Sequence, residues 1–123
     1  MTLLHKTLAY EGDIVQLHPP VNLDSYGIAV LQQQISAAKS KAGDVWVIDM
    51  AQVEFINSAG ILALISAFTL ARRANCRLLV SNLRPAIKLV FEITQLDQAL
   101  EIIDGNITLA KMNPQEDRSL IAA

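Results

Sequence analysis

The fold is decided by one stretch in the middle of the chain, residues 45–60, which reads Val45-Trp46-Val47-Ile48-Asp49-Met50-Ala51-Gln52-Val53-Glu54-Phe55-Ile56-Asn57-Ser58-Ala59-Gly60. It opens with an apolar run of the kind found in strands that are buried on both faces. It ends with residue types that cap helices, ahead of an amphipathic segment that reaches Ala74. A buried strand that leads into a helix is the repeating unit of a parallel sheet.

The same alternation continues on both sides of this stretch. Apolar runs predict strands at residues 3–10, 14–17, 77–80 and 100–103. Helical periodicity predicts helices from Asp24-Ser25 to near Gly43, from Pro85 to about Ile93, and from Asp104 to Met112. The link at residues 11–13 is too short for a crossover and predicts an antiparallel hairpin. The fold class is therefore α/β, a mostly parallel mixed sheet in the order β-β-α-β-α-β-α-β-α.

Length and composition predict one domain without membrane insertion. The chain has 123 residues, of which 52% are hydrophobic, enough for a single core. We assign residues 1–112 to the domain and expect residues 113–123 to form a flexible tail. The uncharged run at residues 57–71 is too short to cross a bilayer, and the first residues do not resemble a secretory signal. The single cysteine, Cys76, suits a reducing compartment, so we expect a cytoplasmic protein.

Several classes of function lack support in the sequence. The net charge is −2 and no basic stripe is present, so we expect no nucleic-acid binding. Cys76, His5 and His18 are too few and too far apart for a metal site. Neither a phosphate-binding glycine loop nor Gly-x-Ser-x-Gly occurs. We therefore expect no cofactor and no enzymatic activity.

Two residues of the second predicted helix stand out on its polar face. Ser58 lies at the helix start, where serine or asparagine accepts a backbone N–H and stabilises the helix by about 1 kcal/mol. Leu62 lies one turn further along the same face, where an exposed leucine beside a regulated serine would serve as a contact residue. From residue type alone, Ser58 is either a structural cap or a functional hydroxyl.

A resemblance favours the functional interpretation. The segment from Val47 to Ile61 resembles the signature of STAS domains, the family of anti-sigma factor antagonists, in which a strand ending in Asp leads to Asp-Ser-Ser/Thr-Gly at a helix start. Residues 83–96 resemble the family's later helix and its Thr-Gly-Leu turn. Residues 21–24, Val-Asn-Leu-Asp, resemble its Gly-x-Leu-Asp motif. The matches run in order from about Ile14 to Ile103.

The resemblance implies a switch with protein partners. Such proteins bind a serine kinase that is also an anti-sigma factor, are released when it phosphorylates the serine that matches Ser58, and are reset by a serine phosphatase. It further implies that Asp24, Asn57, Ala59, Gly60 and Leu62 support the site or contact the partner. Asp24 would repel the phosphate or orient the partner, or else would simply cap the first helix.

The chain departs from the family pattern at three places. Asn57 replaces the family's Asp, Ala59 replaces the hydroxyl residue after the serine, and residues 19–21 displace a glycine. These departures favour an alternative in which the domain is an unphosphorylated scaffold or an accessory subunit of a transport or signalling complex, as some family members are.

A second alternative places phosphorylation on Asp49, as in response-regulator receivers. Receivers need further carboxylates and a lysine around that aspartate, and the sequence offers no lysine at the expected place. Asp49 is therefore predicted to bond the backbone of the following loop instead. The sequence leaves open the identity of the kinase, the sigma factor, the signal and the oligomeric state.

Overall fold

A parallel sheet forms the centre of the molecule. The computed structural model describes residues 6–103 and 107–111. The central strands are β2 (Ile14–Leu17), β4 (Val45–Asp49), β6 (Arg77–Ser81) and β7 (Glu101–Ile103). They pair in the order β2-β4-β6-β7, and each pairing is parallel. Strands β1 (Lys6–Tyr10) and β8 (Ile107–Lys111) pair separately, as do the short strands β3 (Asn22–Leu23) and β5 (Phe55–Ile56).

Helices α1, α2 and α3 begin where the local sequence predicts, and α2 and α3 also end there. Helix α1 (Ser25–Ala38) follows the cap Asp24, and α2 (Ser58–Arg73) follows the cap Asn57. Helix α3 (Pro85–Thr94) has proline in its first turn, where the missing N–H costs nothing. A short helix, α4 (Leu96–Ala99), leads into β7. Helix α1 was predicted to reach nearly to Gly43 but ends at Ala38, because Lys39 adopts the left-handed conformation that terminates helices.

All three helical crossovers of the central sheet lie on one face. The strands β2, β4, β6 and β7 follow one another across the sheet in chain order. Each connection between two of them is a right-handed crossover, so the helices α1, α2 and α3 must lie on the same face. The main core lies between these helices and the sheet. Its buried members include Leu17, Trp46, Ile48, Leu78 and Val80 from the strands, and Leu31, Leu64, Ile87 and Phe91 from the helices.

The face opposite the helices carries a second, smaller core. Val45, Val47 and Leu79 are buried there, with Tyr10 and Ile103 packed against them. Strand β1 precedes β2, which is one edge of the central sheet, and β8 follows β7, which is the other edge. The chain must nevertheless bring β1 and β8 together, because these two strands pair in parallel. Since the helices fill the other face, this two-stranded ribbon must pass over the helix-free face.

The predicted antiparallel hairpin is wrong, because β1 pairs with β8 and β2 pairs with β4. The link between β1 and β2 is held by the loop before β4 instead of folding as a tight turn. Gly12 N donates to Gly43 O at 3.0 Å, and Asp13 N donates to Asp44 Oδ1 at 2.8 Å. These bonds guide β2 along β4 in parallel.

The helix predicted from Asp104 to Met112 is also wrong, since residues 107–111 form strand β8. Asp104 and Met112 themselves lie outside the described residues, as do His5 and residues 113–123. The division into a domain and a tail therefore stays a prediction. In the part of the chain that the structure describes, no helix has the length and apolar character that crossing a membrane requires.

Helix α3 ends on a residue type that is unfavourable for its conformation. Gln95 has φ 62°, in the left-handed region, at the place of the glycine in the family's Thr-Gly-Leu turn. We expect Gln95→Gly to raise the free energy of unfolding by about 1 kcal/mol, since glycine adopts this conformation without steric cost. Urea denaturation followed by fluorescence of the single tryptophan, Trp46, measures the change.

The control is Gln98→Gly, in the helical residues of α4. That change should lower the stability, because glycine is unfavourable in helical backbone. Equal effects of the two substitutions would contradict the conformational explanation.

Candidate functional site

The candidate site is the start of helix α2, where Asn57 does the capping. Asn57 has extended backbone angles, and its Oδ1 accepts a hydrogen bond from Gly60 N at 3.1 Å. Ser58 is therefore the first residue inside the helix, and its side chain is exposed. Since the neighbouring amide supplies the cap, the structure does not use the Ser58 hydroxyl for that purpose. The interpretation of Ser58 as a structural cap is wrong.

The short strands β3 and β5 bring the starts of α1 and α2 together. Leu23 pairs with Ile56 in parallel, and Asn57 N donates to Leu23 O at 3.4 Å. Asp24 and Asn57 are the next residues along these two strands, so the two helix caps lie side by side. Asp24 therefore lies close to the start of α2.

Asp24 has a structural role of its own. Its Oδ1 accepts hydrogen bonds from Tyr26 N at 3.1 Å and from Gly27 N at 3.0 Å. The residue is half-buried. The interpretation of Asp24 as the cap of the first helix is confirmed, and its charge is held a short way from Asn57.

Gly60 is required by close packing. A β-carbon at this position would overlap the carbonyl oxygen of Leu23 and press on Ile56. The first turn of α1 shows the same feature, because a β-carbon on Gly27 would overlap the carbonyl oxygen of Asn22. The absence of side chains at both positions lets the two helices begin directly against β3.

Ala59 and Leu62 lie in different environments. Ala59, the second residue of α2, is half-buried beside the packed first turn. Leu62 is 62% exposed one turn beyond Ser58, as its position on the polar face predicts. A leucine exposed to this extent beside an exposed serine is available to a partner.

The structure adds apolar residues that sequence analysis missed. Tyr26 in the first turn of α1 is 77% exposed, and Phe55 on β5 is 51% exposed. Val21 is also exposed, and its carbonyl oxygen accepts Phe55 N at 3.2 Å. We call these three residues, together with Ser58 and Leu62, the Ser58 surface. The pairing of β3 with β5 brings the segments that carry these residues together.

Asp49 holds the loop that leads to this surface. Its Oδ1 accepts hydrogen bonds from Ala51 N and Asn82 Nδ2, both at 3.0 Å, and its Oδ2 lies 3.7 Å from His18 Nδ1. The Asn82 bond is the main reason that the pKa of Asp49 lies below its usual value. Arg84 Nε supports the same loop through Ala51 O. The prediction that Asp49 bonds the loop backbone is confirmed.

In the described part of the chain, no group of metal-binding side chains surrounds Asp49. Among residues 6–103 and 107–111, no cluster of three or more His, Cys, Asp or Glu side chains is suited to hold a metal ion. The receiver alternative needs such a cluster to hold magnesium, and the described residues do not supply it.

The family can now be assigned from the sequence. A family described as "Mlab, STAS domain" matches residues 13–110, which is most of the chain. The chain belongs to the STAS domain family. None of the curated proteins matches it at a significant level.

Solved structures share this STAS fold. A candidate anti-sigma factor antagonist from Thermotoga maritima has a TM-score of 0.60 and 12% identity, with 89% of this chain and 88% of that chain covered. A sulfate transporter family protein from Wolinella succinogenes has a TM-score of 0.57 and 15% identity, with 90% and 88% covered. At these identities the likeness shows the fold and not the function.

Of the departures from the STAS pattern, the one at Asn57 is structurally conservative. Its amide oxygen makes the capping bond that a carboxylate would make, but it brings no charge. The helix start is therefore retained while the negative charge before Ser58 is lost.

The close contact at Gly60 gives a stability prediction. Helix propensity alone predicts that Gly60→Ala stabilises α2 by about 1 kcal/mol. We expect a loss of at least about 2 kcal/mol instead, because the methyl group would overlap the Leu23 carbonyl oxygen and force α2 away from β3. Thermal and urea unfolding measure the effect.

A matched control is Ala59→Gly, in the same helical turn. It should cost only about 1 kcal/mol through helix propensity. A stabilised Gly60→Ala variant would show that the packing of α2 on β3 is looser than described.

Proposed function

We propose that this STAS domain is an anti-sigma factor antagonist that docks a serine kinase at the Ser58 surface and is switched off by phosphorylation of Ser58. The observation that carries the proposal is the exposed Ser58 side chain at the first position of α2, beside a cap supplied by Asn57. The chain would itself catalyse nothing. A cytoplasmic location follows from the proposal, since the kinase needs ATP.

The position of Ser58 suits phosphorylation without unfolding. A phosphate there adds about −1.5 to −2 charges at neutral pH. It would stand at the positive end of the α2 dipole, near N–H groups of the first turn that lack partners inside the helix. The helix should accept the charge, so the switch would act on the partner and not on the fold.

The surroundings of Ser58 explain why the phosphate would release a partner. The exposed apolar residues Tyr26, Phe55 and Leu62 lie on the segments that meet at the start of α2, and a docked partner would have to exclude water from them. Burying a dianion without a counter-charge is costly. The basic residues of α2, Arg72 and Arg73, lie in its last turn, about 21 Å along the helix axis from Ser58, too far to compensate.

Nearby carboxylates would add to the repulsion. Asp24 is held beside Asn57 by its capping bonds, and Glu54 is exposed just before β5. The STAS pattern has an aspartate at position 57, which would be a third negative charge, but this chain has the neutral Asn57. A partner with basic groups opposite Asp24 and Glu54 would therefore bind the unmodified surface best.

A second candidate function also uses the Ser58 surface for docking but involves no phosphorylation of Ser58. Ala59 removes the neighbouring hydroxyl and Asn57 removes the acidic residue before the serine. The matching family carries the description "Mlab, STAS domain", and one structural neighbour belongs to a sulfate transporter family. Under this alternative the Ser58 surface would dock a subunit of a transport or signalling complex, with Ser58 unmodified.

Intact-mass measurement separates the two functions. The protein is incubated with ATP and the serine kinase of the same genome, and we expect a mass gain of about 80 Da, one phosphoryl group. The gain should be absent in Ser58→Ala and present in Ser66→Ala, which removes another exposed serine of α2. A modified Ser58→Ala protein, or no modification at all, would favour the second function.

Substitutions within the Ser58 surface should weaken binding to that kinase without unfolding the domain. We expect Ser58→Asp to raise the dissociation constant at least about tenfold through its charge, and Leu62→Ala to raise it by a similar factor. Isothermal titration calorimetry measures both, and the melting temperatures should stay near that of the wild type.

Leu89→Ala is the matched control for Leu62→Ala. It removes a leucine of similar exposure, 54% against 62%, from α3, and should leave the affinity unchanged. If Ser58→Asp binds as tightly as the wild type, the charge-switch explanation is wrong.

A further inference from the structure

The outer face of α2 carries a regular stripe of exposed residues. Its members recur at spacings of four and three, so at 100° per residue they fall within about 80° of one another. Leu62 is 62% exposed and Ile65 is 41% exposed, and the other members are exposed as well. We call this set the α2 stripe; its members are Ser58, Leu62, Ile65, Thr69 and Arg72.

The spacing and composition of the α2 stripe favour contact with another helix. Spacings of four and three are the pattern by which helices pack on one another in coiled coils. No residue of α2 from Ser58 to Ala71 is charged. Surface helices usually place charged residues on their outer face, whereas the centres of protein interfaces are depleted of charge.

The charges at the two ends of α2 are opposite in sign. Arg72 and Arg73 are exposed in its last turn. At its start, Asp24 lies beside the cap Asn57 and exposed Glu54 precedes β5. Antiparallel packing of two α2 helices would bring the basic end of each to the acidic end of the other, whereas parallel packing would bring like ends together. This charge pattern favours a second copy of the chain as the occupant.

Arg73 and Asp24 also lie on the same side of α2. Phe68 and Arg72 line a cavity together with residues 98–101, so their side of α2 faces α4. Arg73 lies 100° further round the helix, on the side of α1, and Asp24 is the cap of α1. A two-fold axis that runs along the interface, at right angles to both helices, sets each side of α2 against the same side of the other copy.

We propose that α2 packs against α2 of a second copy of this chain in an antiparallel two-fold dimer centred between Leu62 and Ile65. Each Leu62 would lie level with Ile65 of the second copy, and each Ser58 level with Thr69 of the second copy. Arg73 would lie within one turn of the start of the other α2, near Asp24 of the second copy. That contact would occur twice, as the two-fold axis requires.

Helix α1 is compatible with this dimer. The same axis sets α1 of one copy on the side of α1 of the other. Like charges that face each other across an interface repel, but none of the residues from Ser25 to Ala38 is charged. The exposed Ala29, Gln33 and Ser36 are small or neutral, so α1 does not oppose the approach of a second copy.

The dimer goes beyond the proposed function, because it involves no kinase. It would cover Ser58 and Leu62, so a second copy and a docked kinase would exclude each other. Only this consequence rests on the proposed function. The experiments below use the full chain alone, and their result does not depend on whether a kinase docks.

Sedimentation equilibrium measures the dimer. The wild type should change with concentration from a mass of 13.4 kDa to twice that mass. We expect Ile65→Ala to raise the dissociation constant at least about tenfold, because it removes an apolar contact from the centre. Leu70→Ala is the matched control. Leu70 is 44% exposed against 41% for Ile65 but lies 140° round the helix from it, so this variant should dimerise like the wild type.

A double-mutant cycle tests the charge contact. Arg73→Gln and Asp24→Asn should each raise the dissociation constant about fivefold, since each removes a pair that occurs twice. Asparagine still caps α1, so Asp24→Asn keeps the helix start. The double variant should be no weaker than either single variant, because both remove the same contact.

Arg73 also separates the dimer from kinase docking. It lies outside the Ser58 surface, so Arg73→Gln should weaken the dimer and leave the affinity of the monomeric chain for the kinase unchanged. Trp46 fluorescence confirms that each variant is folded.

Three results would overturn the dimer. The first is a wild type that stays monomeric at millimolar concentration. The second is a folded Ile65→Ala variant that dimerises as tightly as Leu70→Ala. The third is an additive effect of Arg73→Gln and Asp24→Asn, which would show that these two residues do not meet across the interface.

Discussion

The contact between the first turn of α2 and the backbone of β3 determines the rest of the site. Gly60 lies so close to the Leu23 carbonyl oxygen that no side chain fits between them. This contact fixes α2 against the strand that leads into α1, and so sets the caps Asp24 and Asn57 side by side. The exposed serine and its apolar neighbours take their places from that backbone contact. The site is therefore built by packing, with few polar interactions of its own.

The sequence predicted those parts of the fold that depend on local patterns. The central residues of β4 and β6, 45–48 and 78–80, are apolar throughout, and α1, α2 and α3 begin at a capping residue or a proline. The pairing of β1 with β8 joins residues about a hundred positions apart, and no local pattern records it. At residues 107–111 the β-branched Ile107 and Thr108 favour a strand, whereas Asp104 is a residue type that begins helices. The pairing with β1 decides for the strand. Strands of two residues, such as β3 and β5, are too short to show a period.

The same distinction applies to the site. Exposure of Ser58 and Leu62 follows from their positions on the polar face of α2, so sequence analysis could predict it. Capping by Asn57 and the contact at Gly60 depend on where β3 lies, and the sequence allowed other interpretations. Tyr26 and Phe55 join the surface only because two short strands pair. Local periodicity cannot anticipate such a meeting of distant segments.

The ribbon of β1 and β8 has a consequence for how the protein is made. Strand β1 is among the first described residues to leave the ribosome, but its partner is synthesised after the whole central sheet. Closing so long a loop carries an entropic cost that must be met before the pairing gains anything. The core between the helices and the sheet can form during translation. The opposite face of the sheet cannot be covered until β8 has been synthesised. A nascent chain would pass through a stage with one apolar face uncovered, when aggregation or chaperone capture would compete with completion of the fold.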